Sequence, residues 1–432
     1  MKGETLSINV IDELTESSMF NSTSIHWHGI FQKGSAWADG TVSVSQCPIS
    51  SGHSFKYEMQ TGNRPGTFWY HSHLSTQYCD GLRGAMVIYD PQDPHAGLYD
   101  VDDESTIITL SDCLSRNCRI IRLVNADKPA IEYPIGGMIS NSTLINGLGR
   151  YKGGPAAPLA VINVEAGKRI DGHPMTIIEV DGTNHEPLEV NSLTIFAGIR
   201  ANPSAPAGQP GFEGGANKAI LRYKGAPETE PSADLELPEK PLKETDLRPL
   251  DQDGVPGEPR VDGADVNLNL AIHFDTSAGR YQVNGVPFVA PTVPVLLQIL
   301  SGAKSPESLL PQGSVYSLPL NKTIQISMPL IDNIGAPHPM HLHGHNFHVV
   351  RSAGSSEYNF VNPVIRDVVS IGASTSDNVT IRFRTDNAGP WLLHCHIEQH
   401  LGVGLAVVLA EGFTDITTAN PVPEDWKQLC PN

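Results

Sequence analysis

Residues 394–400 read HCHIEQH: a cysteine between two histidines, a third histidine five residues after the cysteine, and then the apolar run LGVGLAVVLAE. A thiolate with imidazoles around it is a soft, electron-rich ligand set of the kind that holds copper or zinc. Histidines in the same two-residue rhythm recur as His26 and His28 in HWH, His71 and His73 in HSH, and His341 and His343 in HPMHLH, which also carries His338. A single His-x-His is an ordinary structural or surface feature; these three pairs together with His394 and His396 are not a chance outcome. In a strand, residues i and i+2 face one side about 6.5–7 Å apart. Each pair therefore suits two neighbouring metal ions or two corners of one cluster, and eight imidazoles from four strands would converge.

Cys395, His338 and His400 supply the sulfur and two nitrogens of a blue-copper centre, whose fourth position is weak or empty. Cys395 lies between His394 and His396 in one strand, so its sulfur points to the face opposite the two imidazoles. A one-electron centre on one face is thereby joined through a few covalent bonds to a multinuclear centre on the other. Zinc has no redox chemistry and explains none of this. Leu405, ten residues past Cys395, puts an apolar side chain where a weak axial thioether would otherwise sit, which leaves oxidised copper less stabilised and predicts a higher potential.

The elements that must position these residues read as short strands and turns. The chain has 432 residues with 40 glycines and 34 prolines, and its Val/Ile/Thr runs favour an all-β architecture of several domains. A net charge of −18 would repel nucleic acid or an anionic membrane, so neither is an expected partner. No apolar run is long enough to span a bilayer. The opening MKGETLSINVIDEL lacks the apolar core of an export signal. Asn21, Asn141, Asn321 and Asn378 nevertheless begin N-x-Ser/Thr glycan acceptors, and six cysteines allow one or two disulfides. The chain reads as a secreted protein whose N-terminus is missing.

Four regions follow from the pattern. Residues 1–92 alternate short apolar runs with turns (LSINVID, SIHWHGIF, SFKYEMQ, GTFWYHSH, GAMVIYD), and 93–225 form a thinner second block with LAVINVEAG, MTIIEVDG and AILRYKG. Residues 226–262, rich in proline and charge, read as a connector with at most local order. From 263 to 432 strands return, with NLAIHFD, VLLQIL, TIQISMPL, HNFHVVRSAG, NVTIRFRTD and GLAVVLAE.

The motifs HWHGIFQ, WADG with SQCPI, GTFWYHSHLSTQYCDGLRGAMVIYD, HPMHLHGHNFHVVRSAG and GPWLLHCHIEQHLGVGLAVVLAE resemble the copper segments of the multicopper oxidases, most closely the fungal laccases. The resemblance implies three cupredoxin-like Greek-key β-sandwich domains, here with the first and second incomplete, and four copper ions. It assigns His338, Cys395 and His400 to one type 1 copper, and His26 and His341 to one type 2 copper. The two type 3 coppers take His28, His71 and His396, and His73, His343 and His394. Asp39 in WADG, and Asp367 in IRDVVS, correspond to acids that deliver protons to the cluster. Cys47 is implied to pair with Cys430. The implied reaction is four one-electron oxidations of phenols or aromatic amines, entering at His400 and coupled to reduction of O2 to two waters, by a monomeric enzyme.

The chain also departs from the family. VINVEAGKR runs directly into IDGHPMTIIEVDG, and LTIFAGIRANP skips another pair of strand segments, each gap removing about 17–18 residues. The first gap takes away an acid that binds the phenolic hydroxyl and the cysteine partner of Cys79. Cys113 and Cys118 look foreign to the pattern, and either could bridge Cys79. Two other readings stand beside the laccase: an oxidase using metal ions or ascorbate, for which Glu398 is the one acid beside His400, and a copper protein without turnover.

Overall fold

The structure, a computed structural model, describes residues 1–16, 20–113, 142–150, 154–164, 175–192, 219–223, 225–230, 240–250 and 254–430. In the first region, Thr5–Ile11 pairs antiparallel with Ser54–Gln60, and Ile25–His28, Gly66–Ser72 and Arg83–Ile88 form a three-stranded sheet. In Ser54–Gln60 the residues alternate strictly between buried and exposed, the signature of a strand with one face on a core.

The last region is a two-sheet sandwich. One five-stranded sheet runs Val266–Asn269, Thr323–Pro329, Asn378–Arg384, Phe347–Arg351, Ile365–Arg366; the other runs Val315–Leu318, Ala406–Glu411, Gly389–Cys395, Pro339–Leu342, Val368–Ser370. Gly389–Cys395 is buried along its whole length. Such a strand carries the near-continuous apolar pattern that GPWLL shows in sequence.

One expected strand is a helix. VLLQIL forms the α-helix Val295–Leu300, because Pro294 fixes the entry backbone and Val295, Leu296 and Ile299 fall on one buried face. Its first two amides bond to the carbonyls of Ser43 and Val44, so it braces the turn that follows WADG. The connector also differs from its reading. Leu247 is 1% exposed, and Leu250 donates to the Asn184 carbonyl. Proline and charge there conceal a docked segment, held at Glu244 by the buried guanidinium of Arg366, which also pairs with Asp181.

The first and last regions share one core. Trp27, Phe55, Tyr57 and Phe68 pack in a single cluster with Leu392, Val408, Ala410 and Trp426. The Cys47–Cys430 bridge, across 383 residues, and the Trp426 indole donating to the Ser45 carbonyl fasten the tail to the first region. Cys79 is a free thiol. Cys118, Asn141 and both joins lie outside the described residues, as does the side chain of Cys113. Replacing Cys430 with serine is expected to lower the unfolding free energy by about 2–5 kcal/mol. Denaturant unfolding at constant slope checks it; a change under about 0.5 kcal/mol would show that packing alone holds the tail.

Candidate metal centre

Strand pairing brings the histidines together. His26 lies directly opposite His71, and His341 opposite His394. Only His26 and His28 share one strand; His73, His343 and His396 each lie just past a strand end. Their amides continue the ladders, donating to the carbonyls of Ser24, Leu392 and Pro339. The two-residue spacing thus keeps its meaning although the strands are shorter than expected.

Eight imidazoles form one buried cluster. The rings of His28 and His341 stack at 3.8 Å, those of His26 and His343 lie 4.0 Å apart, and His73 is 5.2 Å from both His343 and His394. His71 and His396 are 5.1 Å apart, and His28 Nδ1 is 3.3 Å from His396 Nε2. Oxygen atoms fix the tautomers. Nδ1–H donates to the carbonyls of Asp39 from His26, Ser72 from His71, Asp367 from His341 and Cys395 from His394, and to the Asp39 carboxylate from His343. Each Nε2 lone pair is therefore turned inward. The Nε2 atoms of His26, His71, His73 and His341 are buried with no hydrogen-bond partner, and those of His343 and His394 face each other at 3.1 Å. Lone pairs converging without a proton between them are what a cation is needed to satisfy.

Burial sets the charge state. It holds His71, His341, His343 and His394 well below the ordinary imidazole value, with neighbouring imidazoles adding to the effect, and brings His73 down to about 3. Neutral imidazole is the ligating form. Burial alone would push the Asp39 carboxyl up, but His26 and the Thr41 hydroxyl at 2.6 Å outweigh it and hold Asp39 below the usual range. Gly40 makes this placement possible. At φ +83° it lies against the strand Ile25–His28, where a Cβ would stand 1.8 Å from the Ile25 carbonyl oxygen. Asp367 contacts the cluster from the other side, 3.3 Å from His28 Nε2.

The second site is smaller. Cys395 Sγ lies 3.6 Å from Nδ1 of both His338 and His400. Metal–nitrogen and metal–sulfur bonds of about 2.0–2.3 Å meeting in a trigonal plane would set those atoms about 3.8 Å apart, so the gap fits one ion. His338 and His400 are brought down to about 4 and about 3 by burial, and the Cys395 thiol is pushed up by the same cause. Leu405 is fully buried and backs the site; its carbonyl accepts from the Cys395 amide and its amide donates to the His400 carbonyl.

The structure brings together the expected sets His338/Cys395/His400 and His73/His343/His394. The remaining groups, His26/His341/His343, His26/His28/His71 and His28/His341/Asp367, share members, and among the described residues the expected set His28/His71/His396 does not stand as one group. Glu398, alone beside His400, gives a metal-ion donor only thin support. It is 4% exposed, so it offers no surface docking point, and burial raises its carboxyl well above the usual range. Its place between Ile397 and the apolar run was the available signal. A cavity of about 220 Å³ lined by Glu244, Arg248, Ser352 and Tyr358 includes none of these residues.

A thiolate-and-imidazole site within the last region, joined through one strand to an eight-histidine cluster shared by the first and last regions, defines a class, and three models of the multicopper oxidase family match residues 1–93, 169–226 and 288–414. The chain belongs to that family. A laccase of Trametes hirsuta is 54% identical, over all of this chain and 86% of its own length; Laccase-2 of Pleurotus ostreatus is 51% identical, over all of this chain and 83% of its own. Among solved structures, a laccase of Botrytis aclada matches with a TM-score of 0.76 and 26% identity, over 98% of this chain and 83% of that one. Fet3p, a multicopper oxidase that functions in iron import, gives 0.79 at 23% identity, over 99% and 87%. The fold is the three-domain cupredoxin-like sandwich, and the enzyme is a laccase-type, copper-binding, O2-reducing oxidoreductase. The Trametes hirsuta alignment spans 466 positions against 432 residues, so that relative carries at least 34 that this chain lacks.

Proposed function

We propose that the chain holds four coppers and oxidises phenols or aromatic amines at His400. The observation that carries this reading is the 3.6 Å sulfur–nitrogen triangle of Cys395, His338 and His400, one peptide bond from two cluster histidines. His338, Cys395 and His400 hold the type 1 ion. His26 and His341 hold type 2, and His28, His71 and His396 with His73, His343 and His394 hold the type 3 pair. When bound, these ions supply one-electron transfer from the donor and four-electron reduction of O2 to two waters.

The protein's own groups do the rest. Cys395 and its neighbours His394 and His396 give a covalent path from one site to the other. Asp39, ionised, fixes His343 and keeps the imidazole lone pairs directed inward; the Asp367 backbone carbonyl does so for His341. Glu398, kept protonated by burial, is a proton store two residues past His396. Leu405, apolar and fully buried, would offer a type 1 ion no further donor atom. Replacing Leu405 with methionine is expected to lower the type 1 potential; a potential that stays constant or rises in a redox titration contradicts that role.

Secretion, a monomeric state and N-glycosylation complete the proposal. Formation of the Cys47–Cys430 bridge suits an oxidising compartment. Asn21 and Asn321 are exposed acceptors, whereas Asn378 is half-buried at a strand start. Oxygen uptake by copper-loaded protein tests the donor. Steady uptake with a phenol and little with ferrous iron is the expected result; the reverse preference would favour a metal oxidase, and no uptake with either a copper protein without turnover.

A further inference from the structure

Two tyrosines touch the candidate ligands, and they differ in what their hydroxyls do. Tyr78 packs 5.1 Å from the His71 ring and 5.6 Å from that of His396, and its hydroxyl is committed to the His396 carbonyl at 3.0 Å. Tyr281 packs 5.2 Å from the His338 ring and 5.0 Å from the His400 ring. Its cross-strand partner Phe274 covers it at 4.7 Å. The residue is only 7% exposed, yet its hydroxyl makes no hydrogen bond among the described residues and is not sealed from solvent. The backbone holds it there: the Tyr281 amide donates to the Val403 carbonyl at 2.9 Å, and its own carbonyl lies where a Cβ on Gly404 would come within 2.7 Å.

A phenol in van der Waals contact with both imidazoles of a centre that oxidises phenols is a donor in its own right. It differs from an external donor only in being unable to leave. We propose that Tyr281 is an internal one-electron donor to the type 1 centre, and that its phenoxyl is where the enzyme becomes covalently arylated by its own phenolic products. The inference rests on the type 1 assignment given above. Tyr281 gives one electron to the oxidised centre and its hydroxyl proton to water at the solvent opening. A second phenoxyl, made from an external donor by the same loss, joins it ring to ring or ring to oxygen, and the displaced ring hydrogen returns to oxygen as aromaticity is restored. Each adduct forms one bond and releases two electrons and two protons, so two adducts consume one O2 and give two waters.

The test uses the full-length, copper-loaded enzyme turning over guaiacol, with tyrosine-modified peptides identified by mass spectrometry and a rapidly frozen, donor-free reoxidised sample examined by spin resonance. The expected result is a tyrosyl radical signal without donor and, after turnover, an adduct on the peptide containing Tyr281 with the mass of one guaiacol less two hydrogens. Both are lost in Tyr281→Phe, which keeps the ring contacts and hence the blue absorption. A blue enzyme that turns over guaiacol while Tyr281 stays unmodified, or is modified no more than Tyr316 and Tyr358, overturns the proposal and leaves the oxidase reading standing. Protein with four coppers but no blue absorption overturns the type 1 assignment, and the proposal with it.

Discussion

Replacing Cys395 with serine is expected to abolish the strong visible absorption of the copper-loaded enzyme and reduce phenol oxidation by roughly three orders of magnitude or more, while cluster copper is retained. Serine is nearly isosteric, and the Cys395 amide bond to the Leu405 carbonyl and the pairing with Met340 do not depend on sulfur. The lost atom is the soft donor that gives blue copper its colour and the first atom of the path to His394 and His396. The imidazoles point to the opposite face and are held by Asp39, Asp367 and backbone carbonyls, so their site should survive. Absorption that persists in Cys395→Ser would place the chromophore elsewhere.

The second large effect is acid lability of the copper-free protein. Unfolded histidines protonate near their ordinary value of about 6.5, whereas burial holds His73 and His400 at about 3 and His185, His338 and His348 at about 4. Between pH 6.5 and these values the unfolded chain binds more protons than the folded one. Stability therefore rises with pH through that window, is fully present above it, and is lost as pH falls through it, by about 1.4 kcal/mol per pH unit for each such group. Thermal unfolding of copper-free protein should move to lower temperature steeply between pH 6 and 4, and copper-loaded protein less, because bound ions keep the ligand rings of His73, His338 and His400 unprotonated while His185 and His348 respond in both forms. Copper loading should in turn strengthen with rising pH, because burial pushes the Cys395 thiol up and metal must displace its proton. A copper-free protein equally stable at pH 4 and pH 7 would show that the imidazoles are hydrated rather than packed.

The ligands were legible because their spacing is local. HWH, HSH and HCH encode a common face within two residues, and that geometry survives even where the strand ends one residue early. What joins the motifs is not local. The opposition of His341 and His394, and the reach of Asp39 to His343 across 304 residues, are set by sheet order, which no periodicity records. VLLQIL forms a helix and not the expected strand because a six-residue run with five apolar residues suits a buried strand and a short buried helix equally; Pro294 decides between them. Within the connector, residues 240–250 show what composition, an average of polarity, does not record: a buried Leu247 and the Glu244–Arg366 pair hold that stretch against its neighbours. Glu398 and Tyr281 have chemistry only through their surroundings, burial in one case and ring contact with two ligands in the other, and neither surrounding is written within a few residues of them.

On the proposed function, the trinuclear and blue sites both assemble in a chain that lacks at least 34 residues carried by the Trametes hirsuta laccase. Copper per chain, measured together with the visible and spin-resonance spectra of purified, copper-loaded protein, tests it most directly. The account predicts four coppers with both a blue and a normal type 2 signal. Substantially fewer, or a missing blue band, would mean that the motifs persist in a chain unable to assemble them.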